Sequence, residues 1–579
     1  MPTTIPGNLI FQSPTNNDPL LDLNTQPSLD LQFAASKTLD DRVSGLPLVD
    51  HQRDVSSGKS AGTYVGSDGL IKTSKVNLLT YSEEFDQWNQ VNVVLTADDE
   101  VSPDRTLTAE RVTNVVGQLS RVQRIVDLSN DTLYTLSVYA KSFSANKTIA
   151  FEIGGFGGIV VDLGTGVFTG SSIESGYVEG AENGWKRVVA TFLTPSSGIS
   201  RFQAIYIGNY GSSSSLCDVA IWGAQLEEGT TASPYIPTTN LPSAAPRFDH
   251  DPETGESLGL LIEESRTNLL TYSEDFTDAT WLKEGNGGVA SAPVVTPNAA
   301  ASPDGQMTAD RIQFNLNGGT TISDVSQVRK TLVTTAGTHT VSFYFRSFDG
   351  TSSYEMTYRD ADGLVHAMTV TGEWTRVTRT TSNYPSGATT VGFALRGGSF
   401  ADSDTADILV WGAQLEAGSY PTSYIPTSGS TVTRAADVAE ITGSNFSSWY
   451  NQTEGTVFTE ADGEGSRIVG LNDGTDSNRQ ELFQSGNNVF CFQKNANVNE
   501  VNISIAAEDK SVFAYKANDY SVTSSGGSVV TDTSATPPTV NQMSIGNWYN
   551  DTGQLNGTIS RLTYYPYRLP DATLQEITS

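Results

Sequence analysis

A short loop near the C-terminus combines residue types that suit sugar recognition. The stretch Trp548-Tyr549-Asn550-Asp551 lies between Gly546 and Gly553, and glycine favours turns and loops. An exposed aromatic ring offers a flat apolar face to a pyranose, while nearby amide and carboxylate groups can bind its hydroxyls. The alternative is that these rings fill a β-sandwich core, as aromatic residues often do. We predict a glycan-binding site formed by Trp548, Tyr549, Asn550 and Asp551.

A second stretch, FDHDPETGE at 248–256, could bind a metal ion. Alternating acidic residues around a glycine can surround Ca²⁺ with oxygen ligands. The alternative is a solvated turn, which Asp, Pro and Gly also favour. The stretch 472–478 offers a similar set of Asn and Asp side chains. No other cofactor is required, and the predicted calcium ligands are Asp249, Asp251, Glu253 and Glu256.

The sequence offers little for catalysis. Residues 255–259 fit the G-x-S-x-G pattern around Ser257, but a hydrolase elbow needs a strand–turn–helix and a histidine partner. The chain has four histidines, and none lies at metal-ligand spacing from another. A glycosidase needs only two neighbouring carboxylates, yet no pair stands out among 65 acidic residues. We therefore expect a protein that is not an enzyme.

Two long phrases occur twice, about 190 residues apart. WGAQLEEGTTASPYIPTT at 222–239 returns as WGAQLEAGSYPTSYIPTS at 411–428, and NLLTYSEEF at 77–85 returns as NLLTYSEDF at 268–276. A period of this length indicates a duplicated domain, because solenoid repeats are far shorter. The apolar run before each tryptophan predicts that Trp222 and Trp411 lie buried in a late core strand. The alternative is that these tryptophans stack on sugars.

The elements that hold these residues are predicted to be strands. Residues 134–141 and 341–346 alternate apolar and polar side chains, and no long segment has a helical period. Many short strands without helices indicate an all-β fold of antiparallel jelly-roll sandwiches. The predicted parts are an N-terminal docking arm (1–62), jelly-roll domain 1 (63–240), a linker (241–267), jelly-roll domain 2 (268–430) and a third β-sandwich (431–579).

Composition excludes several classes of partner. The formal net charge is -31, with 65 acidic against 34 basic residues, so nucleic acid is not an expected partner. No apolar run approaches the length that crosses a bilayer, so membrane insertion is not expected. The N-terminus lacks the pattern of a secretory signal, and the two cysteines fall in different predicted domains. Synthesis in a reducing cytoplasm fits these features.

Several phrases carry a resemblance to a known group of proteins. LQFAASKTLDDRVSG (31–45), TYVGSDGLIKT (63–73), PRFDHDPETGESLGLLIEESRTNLLTYSEDF (246–276), both WGAQLE phrases and RLTYYPYRLPDATLQ (561–575) resemble virion proteins of tailed bacteriophages, particularly tail fibres and other appendages. The two repeats resemble carbohydrate-binding-module jelly rolls. The last domain resembles a concanavalin A-type lectin or laminin-G sandwich.

This resemblance implies a location and partners. It implies a virion protein made in the host cytoplasm, whose arm docks on other virion proteins and whose far end binds host-surface glycans. It also implies a homo-oligomer, possibly a trimer. The alternatives are a capsid decoration or head-fibre protein without receptor binding, and an all-β polysaccharide depolymerase.

Overall fold

Short strands make up nearly all the regular structure of the computed structural model. It describes residues 26–56, 59–154, 157–170, 173–197, 201–361, 363–384, 386–465, 467–506 and 509–579. The chain forms two compact units. We call the residues up to Val49, Glu440–Asn550 and Ile559–Ser579 the C-terminal unit, and Asp50–Ala439 with Asp551–Thr558 the repeat unit.

The predicted arm ends in ordered structure. Residues 1–25 lie outside the described residues, and short elements follow them. Their bounds are β1 (Leu29–Leu31), α1 (Phe33–Ser36), β2 (Asp50–Gln52), β3 (Thr63–Val65), β4 (Ile71–Thr73) and β5 (Val76–Asn77).

The first repeat is a sandwich of two six-stranded antiparallel sheets, with strand orders β14-β15-β10-β17-β8-β7 and β13-β12-β11-β16-β9-β6. Phe151 and Phe202 from one sheet and Leu136 and Val188 from the other lie in a single buried core. Its strands are β6 (Asn89–Val91), β7 (Val93–Glu100), β8 (Ala109–Asn114), β9 (Arg121–Asp127), β10 (Leu133–Ser142), β11 (Thr148–Gly154), β12 (Gly157–Asp162), β13 (Phe168–Gly170), β14 (Ser175–Gly180), β15 (Lys186–Leu193), β16 (Arg201–Ile207) and β17 (Asp218–Glu228), with 3-10 turns at Phe85–Gln87 and Glu182–Gly184.

The second repeat is a sandwich of two five-stranded sheets. Four strands lie in the predicted linker and just after it: β18 (Ser243–Ala244), β19 (Phe248–His250), β20 (Ser257–Ile262) and β21 (Arg266–Asn268). The sandwich strands are β22 (Leu282–Asn286), β23 (Ser291–Ala300), β24 (Ala309–Asn315), β25 (Val325–Thr334), β26 (Gly337–Ser347), β27 (Tyr354–Arg359), β28 (Val365–Val370), β29 (Thr375–Tyr384), β30 (Gly387–Arg396) and β31 (Thr405–Ala417), with a 3-10 turn at Gly398–Phe400. The orders are β22-β25-β30-β27-β28 and β23-β24-β31-β26-β29.

The two repeats share a β-bulge beside the repeated tryptophan. The pairing of β10 with β17 shifts register just before Tyr139, and that of β26 with β31 shifts just before Tyr344. The glycines that follow the tryptophans, Gly223 and Gly412, have φ values of 63° and 65°. A Cβ atom at Gly412 would lie 2.9 Å from the Tyr344 ring. Glycine is therefore required there both by the backbone conformation and by the space available.

The expected burial of the repeated tryptophans is confirmed. Trp222 is 4% exposed and Trp411 is 1% exposed. Each belongs to a small cluster separate from the main core, where it packs against a tyrosine of the same repeated phrase. The ring centroids are 4.6 Å apart for Trp222 and Tyr235, and 4.3 Å apart for Trp411 and Tyr424. Burial at this level rules out an exposed stacking surface at either tryptophan.

The hairpin β3–β4 packs on the second repeat, although the sequence assigns it to jelly-roll domain 1. The Ile71 N–H donates to the Pro303 carbonyl at 2.9 Å, and the Thr63 hydroxyl donates to the Tyr424 carbonyl at 2.7 Å. Ile71 also lies in the Trp411 cluster. The start of one predicted domain thus contributes to the packing of the other.

The C-terminal unit contains a third sandwich. One sheet has the order β43-β34-β39-β40-β41 and the other has the order β33-β42-β35-β36-β37-β38. After the second repeat, β32 (Val432–Arg434) still belongs to the repeat unit and pairs with β21. The elements that follow it are β33 (Val438–Ile441), α2 (Gly443–Ser447), β34 (Glu454–Gly463), β35 (Arg467–Asn472), β36 (Arg479–Ser485), β37 (Asn488–Asn495), β38 (Val498–Ala506), β39 (Lys510–Lys516), β40 (Tyr520–Ser524), β41 (Val530–Asp532), β42 (Gln542–Ile545), β43 (Gly557–Tyr565) and α3 (Asp571–Thr578). None of the helices in the described part of the chain has the length and hydropathy of a membrane span.

The N-terminal strand β1 completes this third sandwich. It pairs antiparallel with β43, where Leu29 lies opposite Tyr564 and Leu31 lies opposite Leu562. Leu29, Leu31 and Phe33 are fully buried. This part of the predicted arm therefore docks on the protein's own C-terminal unit.

Five charged side chains are buried together in the repeat unit. We call Arg53, Arg247, Glu263, Arg434 and Asp437 the charge cluster; none of these residues is more than 4% exposed. They come from the predicted arm, the predicted linker and the chain after the second repeat. A buried charge is tolerated only when it is paired and hydrogen-bonded.

Asp437 is the centre of the charge cluster. It accepts hydrogen bonds from the guanidinium of Arg53, from Arg247 at 2.5 Å and from the Glu263 N–H at 2.9 Å. Burial alone would raise its pKa, but the charges of Arg247 and Arg53 hold the pKa of Asp437 well below its usual range. Gly62 leaves room for the cluster, because a Cβ atom there would lie 3.0 Å from the Arg434 side chain.

Candidate functional site

Planar side chains line the outer face of one sheet in the C-terminal unit. In the β36–β37 hairpin, Leu482 and Cys491 point into the core, while Phe483 and Phe490 lie opposite each other on the other face. Their rings stack with centroids 4.9 Å apart and planes 7° apart. Both rings are half-buried, so part of their surface faces solvent.

An arginine joins this pair to the predicted loop. The Arg467 guanidinium lies 4.4 Å from the Phe483 ring centre and 4.1 Å from that of Trp548. The rings of Trp548 and Tyr549 then meet edge to face at 5.6 Å. We call Phe490, Phe483, Arg467, Trp548 and Tyr549 the aromatic row. Its contacts hold the planar groups in fixed positions by stacking and cation–π attraction.

Charges around the aromatic row are paired within the protein. Arg479 lies 5.5 Å from the Trp548 ring centre and donates to Glu481 at 3.1 Å. Arg479 and Lys494 both pair with Asp476. Burial lowers the pKa of Arg467, which lies 3.7 Å from Glu481. Because the cations have carboxylate partners, the surface favours an uncharged ligand over a strongly anionic one.

The four predicted glycan-binding residues do not all belong to this surface. Trp548 and Tyr549 are members of the aromatic row. Both are half-buried, so they are neither fully exposed rings nor core residues. Asn550 and Asp551 are exposed at a turn, where Asp551 has a φ of 60°. Asn550 is the last residue of its stretch of the C-terminal unit, and Asp551 belongs to the repeat unit.

Sequence reasoning missed Arg467, Phe483 and Phe490. The phrase NVFCFQK, starting at Asn488, does contain a signal, because its phenylalanines alternate with Val489, Cys491 and Gln493, which are all buried. Apolar residues on both faces of one strand indicate that each face is either packed in a core or used in binding. The sequence alone does not show whether the phenylalanines or the residues between them face the core.

The four predicted calcium ligands are not assembled as a site. Asp249 accepts the Val65 N–H at 2.6 Å, and Asp251 accepts the N–H groups of Glu253 and Thr254 at 2.9 and 2.7 Å, closing its own turn. Glu256 is exposed. Across the described ranges, no three His, Cys, Asp or Glu side chains form a group able to hold a metal ion. Within this stretch Phe248–His250 is strand β19, and an exposed turn follows it.

The second acidic stretch is likewise used internally. Asp473 accepts hydrogen bonds from Thr475 at 2.9 Å and from the Asn478 amide at 2.8 Å. Asp476 carries the two ion pairs with Arg479 and Lys494. These carboxylates support the turn between β35 and β36 and the base of the aromatic row.

Ser257 of the G-x-S-x-G phrase starts strand β20 in a β-hairpin, without the strand–turn–helix of a hydrolase elbow. Its backbone pairs with that of His250, a proximity that no local pattern in the sequence reveals. The His250 Nδ1 atom lies 3.0 Å from the Val65 carbonyl, and neither its Nε2 atom nor the Ser257 hydroxyl makes a hydrogen bond within the described chain. The serine is therefore not activated by the histidine in this arrangement.

The repeated phrases form a matching polar site in each repeat. Tyr235 donates to Glu83 at 3.1 Å, and Tyr424 donates to Glu274 at 2.9 Å. Burial, aided by the charge of Asp104, raises the pKa of Glu83 to about 7; the pKa of Glu274 is raised by burial. In the second repeat a cavity of about 260 Å³ adjoins this site. The same tyrosine–glutamate hydrogen bond thus occurs in both repeats, between the first and the last repeated phrase of each.

Comparison with known proteins adds similarities of fold only. No protein-family model matches the chain, and no curated protein matches it. Among solved structures, the CBM40 of the Ruminococcus gnavus IT-sialidase covers 23% of this chain and 88% of its own, at 17% identity and a TM-score of 0.21. The same module bound to alpha2,3 sialyllactose gives the same values. The CBM22-1-CBM22-2 tandem domain from Paenibacillus barcinonensis Xyn10C covers 60% of this chain and 98% of its own, at 11% identity and a TM-score of 0.24.

These neighbours are carbohydrate-binding modules with jelly-roll folds. The predicted all-β class, with several sandwich sheets, is confirmed. At such identities and scores the likeness says nothing about what this chain binds.

Proposed function

We propose that the protein binds glycans and that the aromatic row is the surface that binds them. The observation that carries this proposal is the stacked pair Phe483 and Phe490, extended through Arg467 to Trp548. Stacked planar groups that are half-exposed offer apolar faces to sugar rings at little cost in conformational entropy, because packing already holds them in place.

The charge balance favours neutral sugars. Arg479, beside the row, pairs with Glu481 and Asp476, and Arg467, within it, lies 3.7 Å from Glu481. The whole chain carries a net charge of -31, which repels acidic polymers at low salt. Binding by stacking does not depend on a ligand charge.

We also propose that the protein is an appendage of a tailed-phage virion and acts by binding rather than by catalysis. The support is the sequence resemblance of several phrases to virion proteins, together with the unactivated Ser257. Many weak sites on a homo-oligomer would give avidity. Immunogold labelling of virions tests the location, with tail labelling expected and capsid labelling pointing to a head-fibre protein. Release of reducing ends from host polysaccharide by the purified protein would point to a depolymerase.

Replacing Phe490 with alanine is expected to weaken binding of a neutral glycan about fivefold per site. Loss of one stacking face costs about 1 kcal/mol, and a second loss in the Phe490→Ala, Trp548→Ala variant should weaken binding further. A glycan array identifies the ligand, and calorimetry on the full chain measures the affinities.

The matched control is Phe348→Ala in the second repeat. Phe348 is also a partly exposed ring beneath an arginine, with Arg311 lying 3.8 Å from the ring centre. This control should bind the glycan as the unmodified protein does. Equal affinity in the unmodified protein, in both aromatic-row variants and in Phe348→Ala, with unchanged melting temperatures, would contradict the proposal.

A further inference from the structure

A cavity of about 380 Å³ lies beside helix α2 in the C-terminal unit. Residues from α2, from the chain that follows it and from the start of β42 line its walls. The aromatic row contributes none of these residues. The residues used in the argument below are Thr442, Phe446, Ser447, Tyr450, Asn541 and Gln542.

One wall of this cavity is aromatic and fixed in place. The rings of Phe446 and Tyr450 lie 4.5 Å apart with planes 31° apart. Phe446 also packs against Trp449 at 5.0 Å, and Tyr450 packs against Tyr564 at 5.7 Å. Phe446 is only 2% exposed, whereas Tyr450 is half-buried at the cavity. Tyr450 therefore presents a positioned ring surface that needs little reorganisation to receive a ligand.

The other walls carry neutral hydrogen-bonding groups without protein partners. Within the described ranges, the hydroxyls of Thr442 and Ser447 and the side-chain amides of Asn541 and Gln542 make no hydrogen bond to the protein. Nearby Gln452 differs, because it donates to the Pro538 carbonyl at 2.5 Å and accepts the Val540 N–H at 3.2 Å. Gln452 thus holds the wall, and the four other side chains remain available to a ligand.

Among the residues that the structure describes, no charged side chain lines this cavity. Amides and hydroxyls around an aromatic ring match a molecule that has both an apolar face and many hydroxyls. The volume lies within the usual range of roughly 300–1,000 Å³ for small-molecule sites. We propose that this cavity binds one uncharged saccharide unit, as a second sugar site independent of the aromatic row.

Saturation-transfer NMR on the full chain tests this proposal. The probes are glucose, galactose, N-acetylglucosamine and N-acetylgalactosamine, with sialic acid as the charged comparison. At least one neutral sugar should receive saturation, and sialic acid should receive less. In the Phe490→Ala, Trp548→Ala background, which weakens the aromatic row, the Asn541→Ala, Gln542→Ala changes should weaken binding of that sugar at least tenfold. In the same background Ser447→Trp, at an exposed helix position, should abolish the binding by filling the cavity.

Two controls separate this site from the aromatic row. Asn488→Ala removes an exposed amide from the same sheet, and Phe490→Ala alters the row; both should leave saturation of the cavity ligand unchanged. Undiminished saturation in the Ser447→Trp variant, or no saturation of any neutral sugar, would overturn the cavity proposal. If Phe490→Ala removes the signal and Ser447→Trp does not, the row is the only sugar site.

Discussion

Replacing Asp437 with alanine should destabilise the repeat unit by about 4 kcal/mol, the largest stability effect expected from any single substitution considered. The variant leaves Arg53 and Arg247 buried without their shared carboxylate, and an unpaired buried charge typically costs about 3–5 kcal/mol. The Glu263 N–H also loses its acceptor. Hydrogen exchange across residues 50–62 and 245–268 measures the effect, because a chain with several domains does not unfold in one step.

The matched control is Asp68→Asn. Asp68 forms an exposed ion pair with Lys72 at 2.8 Å, and surface pairs contribute about 0–1 kcal/mol. Asp437→Asn keeps the size of the side chain and removes its charge. Its loss of stability should therefore lie between that of the control and that of the alanine variant. Equal exchange rates in Asp437→Ala and in the unmodified protein would show that the charge cluster does not hold these segments.

The first repeat should lose stability as the pH rises from about 5 to about 8. Burial raises the pKa of Glu110 to about 8, and burial with the charge of Asp104 raises that of Glu83 to about 7. Both folded pKa values exceed that of an unfolded glutamate. The stabilisation is therefore complete below about pH 4.5 and is lost as the pH passes through 7 and 8. The rise of the Glu110 pKa from 4.5 to about 8 would correspond to about 5 kcal/mol at about 1.4 kcal/mol per pKa unit, and discounting it for solvent screening leaves a loss on the order of 3 kcal/mol.

Thermal unfolding between pH 5 and pH 8 checks this expectation. Glu110→Gln keeps a neutral side chain at every pH, so it should flatten the decline, while the same change at exposed Glu179 should not. A decline of the same slope in Glu110→Gln would contradict the assignment. Glu263 has the opposite pH dependence. Burial would raise its pKa, but the charges of Arg434 and Arg247 lower it to about 2. Its contribution to the stability of the folded state should therefore be lost as the pH falls through 4 toward 2.

The sequence predicts the strands well because their side chains alternate. Residues 134–141 and 341–346 lie in β10 and β26, and the repeated phrases close the two sandwiches as equivalent elements. The bulge before Tyr139 and Tyr344 is harder to predict, because the only sequence feature that accompanies it is a glycine after each tryptophan. That glycine is required because a tyrosine ring packs against it, and the position of the ring cannot be predicted from the neighbouring sequence.

The charge cluster could not be predicted from composition. Arg247 lies in a stretch rich in proline and acidic residues, which resembles an exposed linker in sequence. Its acidic partners are Glu263 and Asp437, and Asp437 is 190 residues away. A solvated turn and a buried ion pair use the same residue types, so only the fold distinguishes them.

The aromatic row could be predicted in part. The glycines around Trp548 and Tyr549 identify a loop correctly, and these two residues are half-buried where a ligand could meet them. Phe483, Phe490 and Arg467 come from three different strands and converge only through the register of the sheet. The prediction includes Asn550 for its chemistry alone, whereas the structure places it in the exposed turn that follows Tyr549.

The pairing of β1 with β43 means that this sheet cannot be completed until late in synthesis. Leu29 leaves the ribosome more than 500 residues before its partner Tyr564. At about 5–20 residues per second, translation of that interval takes roughly 30–100 s. Throughout this time the apolar side chains Leu29, Leu31 and Phe33 lack the strand that buries them. The nascent protein therefore has an aggregation-prone segment around Leu29 and Leu31 that stays uncovered until β43 has been made, so molecules that terminate before β43 should be the ones that require chaperones or are degraded.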